Sequence, residues 1–199
     1  MVVLGGVAWA ANIQCPSAGI ERHPTLFGEV KIALCNGTEK ADTMQGTKYP
    51  DRMKGKSGAD TMYGWGNGSY DSLYGGPGPD KMYGGQGGDY LFAGAGVDRL
   101  YGQGDHDRLL SGNTTLDGRQ DDLTDDYYYG GAEDDEFLVG GLNGVDRVFG
   151  GTGDDDIWVA GNAATGAKEI VECGPGTDTV HFDEGVDVVM NCEVERPVS

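Results

Sequence analysis

Residues 75–110 read as four consecutive nine-residue segments: GGPGPDKMY (75–83), GGQGGDYLF (84–92), AGAGVDRLY (93–101) and GQGDHDRLL (102–110). The sixth place of each segment is an aspartate, and the eighth is a large apolar residue. A fixed period of this kind indicates a solenoid, in which neighbouring repeats complete one another's core. The pattern is G-G-x-G-x-D-x-U-x, with U a large apolar residue, and its positions are called places one to nine.

Each place of the pattern has a physical role. Glycines at places one, two and four permit a positive φ, so the backbone can turn sharply and expose its carbonyl groups. The aspartate at place six adds a carboxylate to this loop, and calcium accepts such a flexible all-oxygen set more readily than magnesium does. Places seven to nine suit a short strand in which the place-eight side chain points inward. The pattern therefore predicts calcium-binding loops that alternate with short strands.

The repeats between residues 37 and 190 resemble the RTX, or hemolysin-type, calcium-binding repeat family, because fourteen aspartates recur in phase from Asp42 to Asp187. This resemblance implies an all-β fold, a right-handed parallel β-roll of stacked short strands. The two disulfide-linked end caps that we also expect follow from the positions of the cysteines, described below. The resemblance also implies that several Ca²⁺ ions are bound between successive turns, through aspartates and backbone carbonyls. The metal ligands implied in this way are Asp60, Asp71, Asp80, Asp89, Asp98, Asp107, Asp135, Asp146, Asp155 and Asp178.

The glycine at place four separates strong from weak predicted sites. Asp42 and Asp51 follow loops in which Lys40 and Tyr49 replace this glycine, and the loop before Asp126 has no glycine, so these three sites are predicted to be poor. The repeats that keep the glycine, and are predicted to bind calcium best, contain Asp60, Asp80, Asp89, Asp98, Asp146 and Asp155.

Successive repeats of a β-roll lie on opposite sheets, so the place-eight residues form two inward ladders. A two-residue insertion at Gly64-Trp65 shifts the phase between repeats, and a second insertion follows at Val139-Gly140. The predicted ladders are Met44, Met62, Met82 and Leu100 on one side, and Met53, Leu73, Leu91 and Leu109 on the other.

The chain divides into a central roll and two ends. Residues 1–10 are apolar and end in a small-x-small pattern, as at the end of a secretory signal peptide. A solenoid needs caps because its end coils otherwise expose a sheet edge. The predicted segments are a signal-peptide remnant (1–10), an N-terminal cap (11–36), a calcium-binding β-roll (37–190, with interruptions at 111–125 and 159–172) and a C-terminal cap or tail (191–199).

Four cysteines, Cys15, Cys35, Cys173 and Cys192, lie outside the strong repeats. Three pairings are open to them, and proximity in sequence favours Cys15–Cys35 and Cys173–Cys192, one bridge at each end. An exported context favours disulfides over reduced thiols.

Charge and histidine placement limit the function. The formal charge is −19 and the pI about 4.2, so nucleic acid and anionic membranes are repelled, and the apolar start is too short to span a bilayer. His23, His106 and His181 lie in unrelated contexts, and no Gly-x-Ser-x-Gly motif is present. We therefore expect a non-enzymatic, secreted or cell-surface monomer.

The predicted function is calcium binding in which structural Ca²⁺ drives folding of the roll. The alternative is an adhesion module for a glycan or a protein partner, with an outer aromatic ladder as its binding surface. An ice-binding solenoid is less favoured, because only three repeats have threonine at place seven. The residues of the aromatic ladder, all at place nine, are Tyr63, Tyr74, Tyr83, Phe92 and Tyr101.

Overall fold

The computed structural model describes residues 11–15, 20–25, 28–66, 68–112, 124–140, 144–159 and 167–198, which contain β-strands and no helix. This described part thus lacks any helix that could cross a membrane. The predicted signal remnant (1–10) lies outside it. The first sheet, sheet A, has the strands β1 (Ala11–Gln14), β4 (Asp42–Gln45), β6 (Thr61–Tyr63), β8 (Lys81–Gln86), β10 (Arg99–Gly104), β12 (Tyr127–Ala132), β14 (Arg147–Thr152), β16 (Ile170–Glu172) and β18 (Val188–Met190). The second, sheet B, has β2 (Ile20–Thr25), β3 (Gly28–Asn36), β5 (Asp51–Lys54), β7 (Ser72–Pro77), β9 (Tyr90–Ala95), β11 (Arg108–Leu110), β13 (Glu136–Leu138), β15 (Asp156–Trp158), β17 (Thr179–Asp183) and β19 (Val194–Val198).

Successive repeats alternate between the two sheets, so each strand pairs with the strand two repeats away. Leu73 lies opposite Leu91, and Met62 opposite Met82, each at place eight. These pairings are parallel, and the antiparallel pair β2–β3 is the exception among the described strands. The parallel β-roll that the family resemblance implies is confirmed.

Place eight supplies the core. The two predicted ladders are confirmed: all eight residues have no exposed surface. Because one residue per repeat fills the space between the sheets, stacked neighbours provide most of its packing partners. The ladders continue with Tyr128, Val148 and Val171 from sheet A, and with Phe137, Ile157 and Val180 from sheet B.

The two predicted interruptions leave the stacking register unbroken. Leu100 pairs with Tyr128 across the first one, and Val148 pairs with Val171 across the second. Residues 113–123 and 160–166 lie outside the described residues. The roll thus resumes in phase after each predicted interruption.

The insertion predicted at Gly64-Trp65 lies elsewhere in the structure. Gly64 faces Gly84 and Asp71, and Trp65 lies against Gly85, so these two residues take places one and two of their loop. The two additional residues come later, before Asp71. The prediction was wrong because the sequence pattern fits either frame, whereas the turn that follows a strand must begin at place one.

Strands from the N-terminal segment extend the roll. β1 pairs in parallel with β4, and β3 with β5, so both sheets begin before residue 37. Disulfides join Cys15 to Cys35 and Cys173 to Cys192, as proximity suggested.

Candidate metal centre

The repeat aspartates are buried, although each lies at the end of a turn, directly before a short strand. Each lies just before the first residue of its strand, and its side chain turns in towards the preceding loop. All ten aspartates predicted as ligands have at most 3% of their surface exposed. Burying so many carboxylates is costly unless each oxygen is satisfied.

One oxygen of each carboxylate is satisfied by the backbone. The backbone N–H of Asp60 donates to Asp80 Oδ1 at 2.7 Å, and that of Asp80 donates to Asp98 Oδ1 at 2.7 Å. These bonds link equivalent residues of successive coils into two columns. Column A contains Asp42, Asp60, Asp80, Asp98, Asp126, Asp146, Glu169 and Asp187. Column B contains Asp51, Asp71, Asp89, Asp107, Asp135, Asp155, Asp178 and Glu193.

The hydrogen bonding of the second carboxylate oxygen, Oδ2, differs from repeat to repeat along the columns. In many repeats this oxygen is buried and accepts no hydrogen bond from any described residue, a state that costs about 1–3 kcal/mol for a polar group and more for a charged one. A cation is a partner that removes this cost. The residues whose Oδ2 atom is in this state include Asp60, Asp71, Asp80, Asp89, Asp107, Asp135, Asp155 and Asp178.

The space in front of these oxygen atoms is lined by a backbone carbonyl and a place-one glycine. A Cβ atom on Gly84 would lie 2.5 Å from Asp89 Oδ2 and 2.9 Å from the carbonyl oxygen of Gly102, one coil further on. At Gly75 the corresponding neighbours are Asp80 Oδ2, at 2.6 Å, and the carbonyl oxygen of Ala93. At Gly84 and Gly75 a side chain would occupy this space, whereas the repeat before Asp98 has Ala93 at place one. The donors are all oxygen, which is the set that Ca²⁺ prefers.

No group of three His, Cys, Asp or Glu side chains converges on one point among the described residues. A site built from side chains alone, as for zinc, is therefore not formed there. The oxygen set instead combines one carboxylate with carbonyl groups from neighbouring coils, which a search for side-chain clusters does not detect.

Burial makes the calcium-free columns electrostatically unfavourable. It raises the pKa of Asp80 and Asp89 to about 7, that of Asp71 to about 8 and that of Asp107 to about 9. The charges of carboxylates above and below in the column add to this effect. These groups therefore resist ionisation near neutral pH when no cation accompanies them.

At the three sites predicted to bind calcium poorly, an N–H or O–H group of the protein donates a hydrogen bond to the second carboxylate oxygen. The second oxygen of Asp42 accepts the backbone N–H of Thr38 at 2.5 Å, and that of Asp51 accepts the backbone N–H of Thr47 at 2.6 Å. Asp126 Oδ2 accepts the Tyr128 hydroxyl at 3.1 Å. A carboxylate already bound in this way gains less from a cation.

Sequence reasoning missed two column members, Glu169 and Glu193. Glu169 accepts the backbone N–H of Asp146 at 2.6 Å and is 1% exposed, although it lies in a predicted interruption. Glu193 accepts the backbone N–H of Asp178 at 3.1 Å. The signal that remained was an acidic residue followed two places later by an apolar one, as in Glu169-Ile170-Val171, but the loop before it has no GGxG pattern.

Comparison with known protein families gives one match. A model of the RTX calcium-binding nonapeptide repeat matches in four copies, at residues 36–68, 65–91, 83–115 and 140–162. These segments cover about half of the chain and contain most of the two columns. Neither the curated proteins nor the solved structures provide a match.

Proposed function

Because this chain belongs to the RTX calcium-binding nonapeptide repeat family and is a calcium-binding β-roll protein, we propose that calcium builds its fold and that it acts outside the cell without catalysis. The observation that carries the proposal is the buried Oδ2 atoms of residues such as Asp80, Asp89 and Asp107, each close to a carbonyl oxygen of the next coil and without a hydrogen-bond donor among the described residues. Disulfides support the extracellular setting, because they persist in oxidising compartments.

The ten predicted aspartates would hold the ions with their second oxygen. Their first oxygen stays bound to the backbone of the preceding coil, which fixes the direction of the carboxylate. Carbonyl oxygens of the place-one residues, such as those of Ala93 and Gly102, would complete the set. When bound, calcium supplies positive charge between stacked carboxylates that otherwise repel one another.

Binding energy of this kind appears as folding energy. Each site needs two coils in register, so the unfolded chain has no formed site, and every bound ion adds RT ln(1 + [L]/Kd) to stability. For Kd values of about 10⁻⁴ to 10⁻³ M, as in extracellular modules, each site contributes roughly 0.4 to 1.4 kcal/mol at about 1 mM calcium. Several sites together reach the stability of a small domain, about 5–15 kcal/mol.

Circular dichroism of the oxidised protein at pH 7.5 tests this proposal. In chelator we expect a largely disordered spectrum, and millimolar calcium should produce the β-sheet spectrum in a cooperative transition. Magnesium at the same concentration is the control and should give little structure, because it requires near-octahedral geometry and retains its water. A chelated sample with the full β-sheet spectrum would show that calcium is bound to a roll that forms without it.

A further inference from the structure

The loops that follow the sheet A strands carry an unusual pair of residues at place two. Gly85, Gly131 and Gly151 occupy this place in three coils, each with a positive φ. In two other coils the residue is Trp65, with φ +73°, and Gln103, with φ +88°. Side chains are disfavoured in this backbone conformation, so these two coils differ from the coils that have glycine at this place.

Trp65 and Gln103 flank Gly85 and form a slot. Gly85 pairs with Gln103 in the sheet register, and on its other side it lies against the backbone of Trp65. The backbones of Trp65 and Gln103 are therefore separated by two strand spacings, about 9.6 Å. Both residues and Gly85 between them line one groove.

This slot is the mouth of a groove with a volume of about 550 Å³. None of the described residues that line it is charged, although the chain has a formal charge of −19. Gln86 and Gln103 are exposed and place amide groups at its rim. The lining consists of Tyr63, Trp65, Tyr83, Gly85, Gln86 and Gln103.

Trp65 is the aromatic ring with a free face. Tyr63 and Tyr83 stack face to face with centroids 4.9 Å apart, and Tyr83 and Tyr101 stack in the same way at 4.8 Å, so these tyrosines cover one another's faces. The Trp65 ring is tilted by 47° from Tyr63, and 61% of the residue is exposed. The aromatic ladder thus provides the wall and the hydroxyl groups of the groove, and the indole provides an open apolar surface.

We propose that this groove binds a neutral polysaccharide. The apolar face of one pyranose ring would stack on Trp65, while its hydroxyl groups exchange hydrogen bonds with the amides of Gln86 and Gln103. Aromatic rings with a polar rim suit such a ligand, because a sugar presents C–H groups on its faces and hydroxyl groups at its edges. This inference goes beyond calcium binding and depends only on the fold.

The chemistry of the groove argues against other occupants. An acidic sugar would find no cation in the lining, and nucleic acid is repelled by the acidic chain. A stable protein interface buries about 800 Å² on each partner, which exceeds what a groove of six residues offers.

Affinity electrophoresis of the calcium-loaded chain through gels containing neutral polysaccharides tests the proposal, with a mixed-linkage β-glucan, a galactomannan and dextran as probes and alginate as the acidic comparison. At least one neutral probe should retard the wild-type protein. Trp65→Gly and Gln103→Gly should each weaken that retardation by about tenfold or more. Both variants place glycine where φ is positive, so their melting temperatures should be unchanged or raised, which separates lost binding from lost folding.

Tyr70→Ala is the matched control, because Tyr70 is 69% exposed but does not line this groove. It should bind like the wild type. Absence of retardation by every neutral probe, retardation by alginate alone, or equal loss in Tyr70→Ala and Trp65→Gly would each overturn the proposal. A partner protein that competes for Trp65 without any polysaccharide binding would overturn it in favour of a protein interface.

Discussion

At the scale of single residues, each repeat aspartate uses its two oxygen atoms differently. Oδ1 accepts a backbone N–H of the preceding coil, as Asp89 does from Asp71 at 2.7 Å, and so contributes to the stacking of coils. In repeats such as that of Asp89, Oδ2 instead faces a carbonyl oxygen and a glycine, which is the position proposed for an ion. Removing the charge therefore affects ion binding, whereas removing the acceptor affects stacking.

We expect Asp89→Asn to change calcium binding and Asp51→Asn to change stability. Asparagine at 89 keeps an acceptor for Asp71 but loses the charge, so titration calorimetry should show fewer bound calcium ions. Asparagine at 51 can keep its amide oxygen on the Thr47 N–H and turn its NH₂ towards the Thr47 hydroxyl, so only the charge of the acceptor is lost; this should cost about 1 kcal/mol of stability without changing the number of ions. An unchanged calcium stoichiometry in Asp89→Asn would contradict the assignment of its second oxygen.

Leu91→Asp should damage the fold more than Tyr90→Asp. Leu91 has no exposed surface, and an unpaired charge buried there costs several kcal/mol. Tyr90 is partly exposed on the outer face, beside Arg108, where most substitutions change stability by about 0.5 kcal/mol or less. Denaturant unfolding in saturating calcium measures both changes, and equal losses would contradict the inward direction of place eight.

At the scale of strands and turns, the backbone of the turn decides which residue each place accepts. Gly78, at place four, has φ +133°, and a Cβ atom there would meet the carbonyl oxygen of Gly58 in the preceding coil. Glu133 occupies the same place in a later coil with φ +72°. Glycine is therefore favoured at place four of stacked turns for two reasons: φ is positive there, and the backbone of the neighbouring coil lies close to the Cα atom.

Substitutions at place four should change stability in a predictable direction. Gly78→Ala should destabilise the calcium-loaded protein by about 1–3 kcal/mol, because neither the φ angle nor the backbone contact can relax. Glu133→Gly should stabilise it by about 1 kcal/mol, since it relieves a left-handed side-chain conformation. Glu133→Gln is the control for charge and should give a smaller gain, and a larger gain in Glu133→Gln would show that repulsion from Asp134 and Asp135 dominates.

The sequence predicts a strand when the motif that marks it lies within the same nine residues, and fails when the strand is positioned by pairing with a distant part of the chain. Strands that follow a complete repeat, such as Lys81–Gln86, were predictable because the turn and the strand lie within nine residues. β1 and β3 were not, because their place in the roll depends on pairing with β4 and β5 and no repeat motif marks them. Glu169 was missed for a related reason: its position depends on a hydrogen bond to Asp146 in the previous coil, across a predicted interruption of the repeat.

The same contrast applies to the candidate site. The period alone gave the aspartates and the inward ladders, since both recur at one phase. The close approach of Asp89 Oδ2 and the Gly102 carbonyl oxygen to Gly84 depends on the stacking of two coils, so no single repeat contains it. Likewise, the sequence alone does not show whether Gly64 and Trp65 are an insertion or the first two places of their loop. The packing of Gly85 against Trp65 decides this.

At the scale of the whole molecule, two columns of buried carboxylates run along the roll and give it a pH dependence. Burial raises the folded-state pKa of Asp60 and Asp155 to about 6, and values for other members reach about 9, against 3.8 for the free side chain. The stability these groups contribute is fully present below pH 4 and is lost as the pH rises through about 6 to 9. In the absence of calcium, protons thus take the place of the cations.

We therefore expect the chelated protein to gain β-structure as the pH falls from 8 to about 5. Calcium affinity should change in the opposite sense, because protons compete with the ion for the same oxygen atoms. Circular dichroism in chelator across this range, with calcium titrations at pH 5.5 and 7.5, measures both trends. A chelated protein that is equally disordered at pH 5 and pH 8 would contradict the raised pKa values of the columns.

The in-phase register of the coils has a consequence for the size of the molecule. In the uninterrupted part of the roll, each hydrogen bond of a column joins residues 18 positions apart, and the contacts of one coil are the same as those of the next. Duplication or excision of one such segment, for example residues 75–92, would leave the remaining contacts intact. The length of the rod is therefore a variable that genetic recombination can change in steps of about 4.8 Å, while the chemistry of every remaining site stays the same.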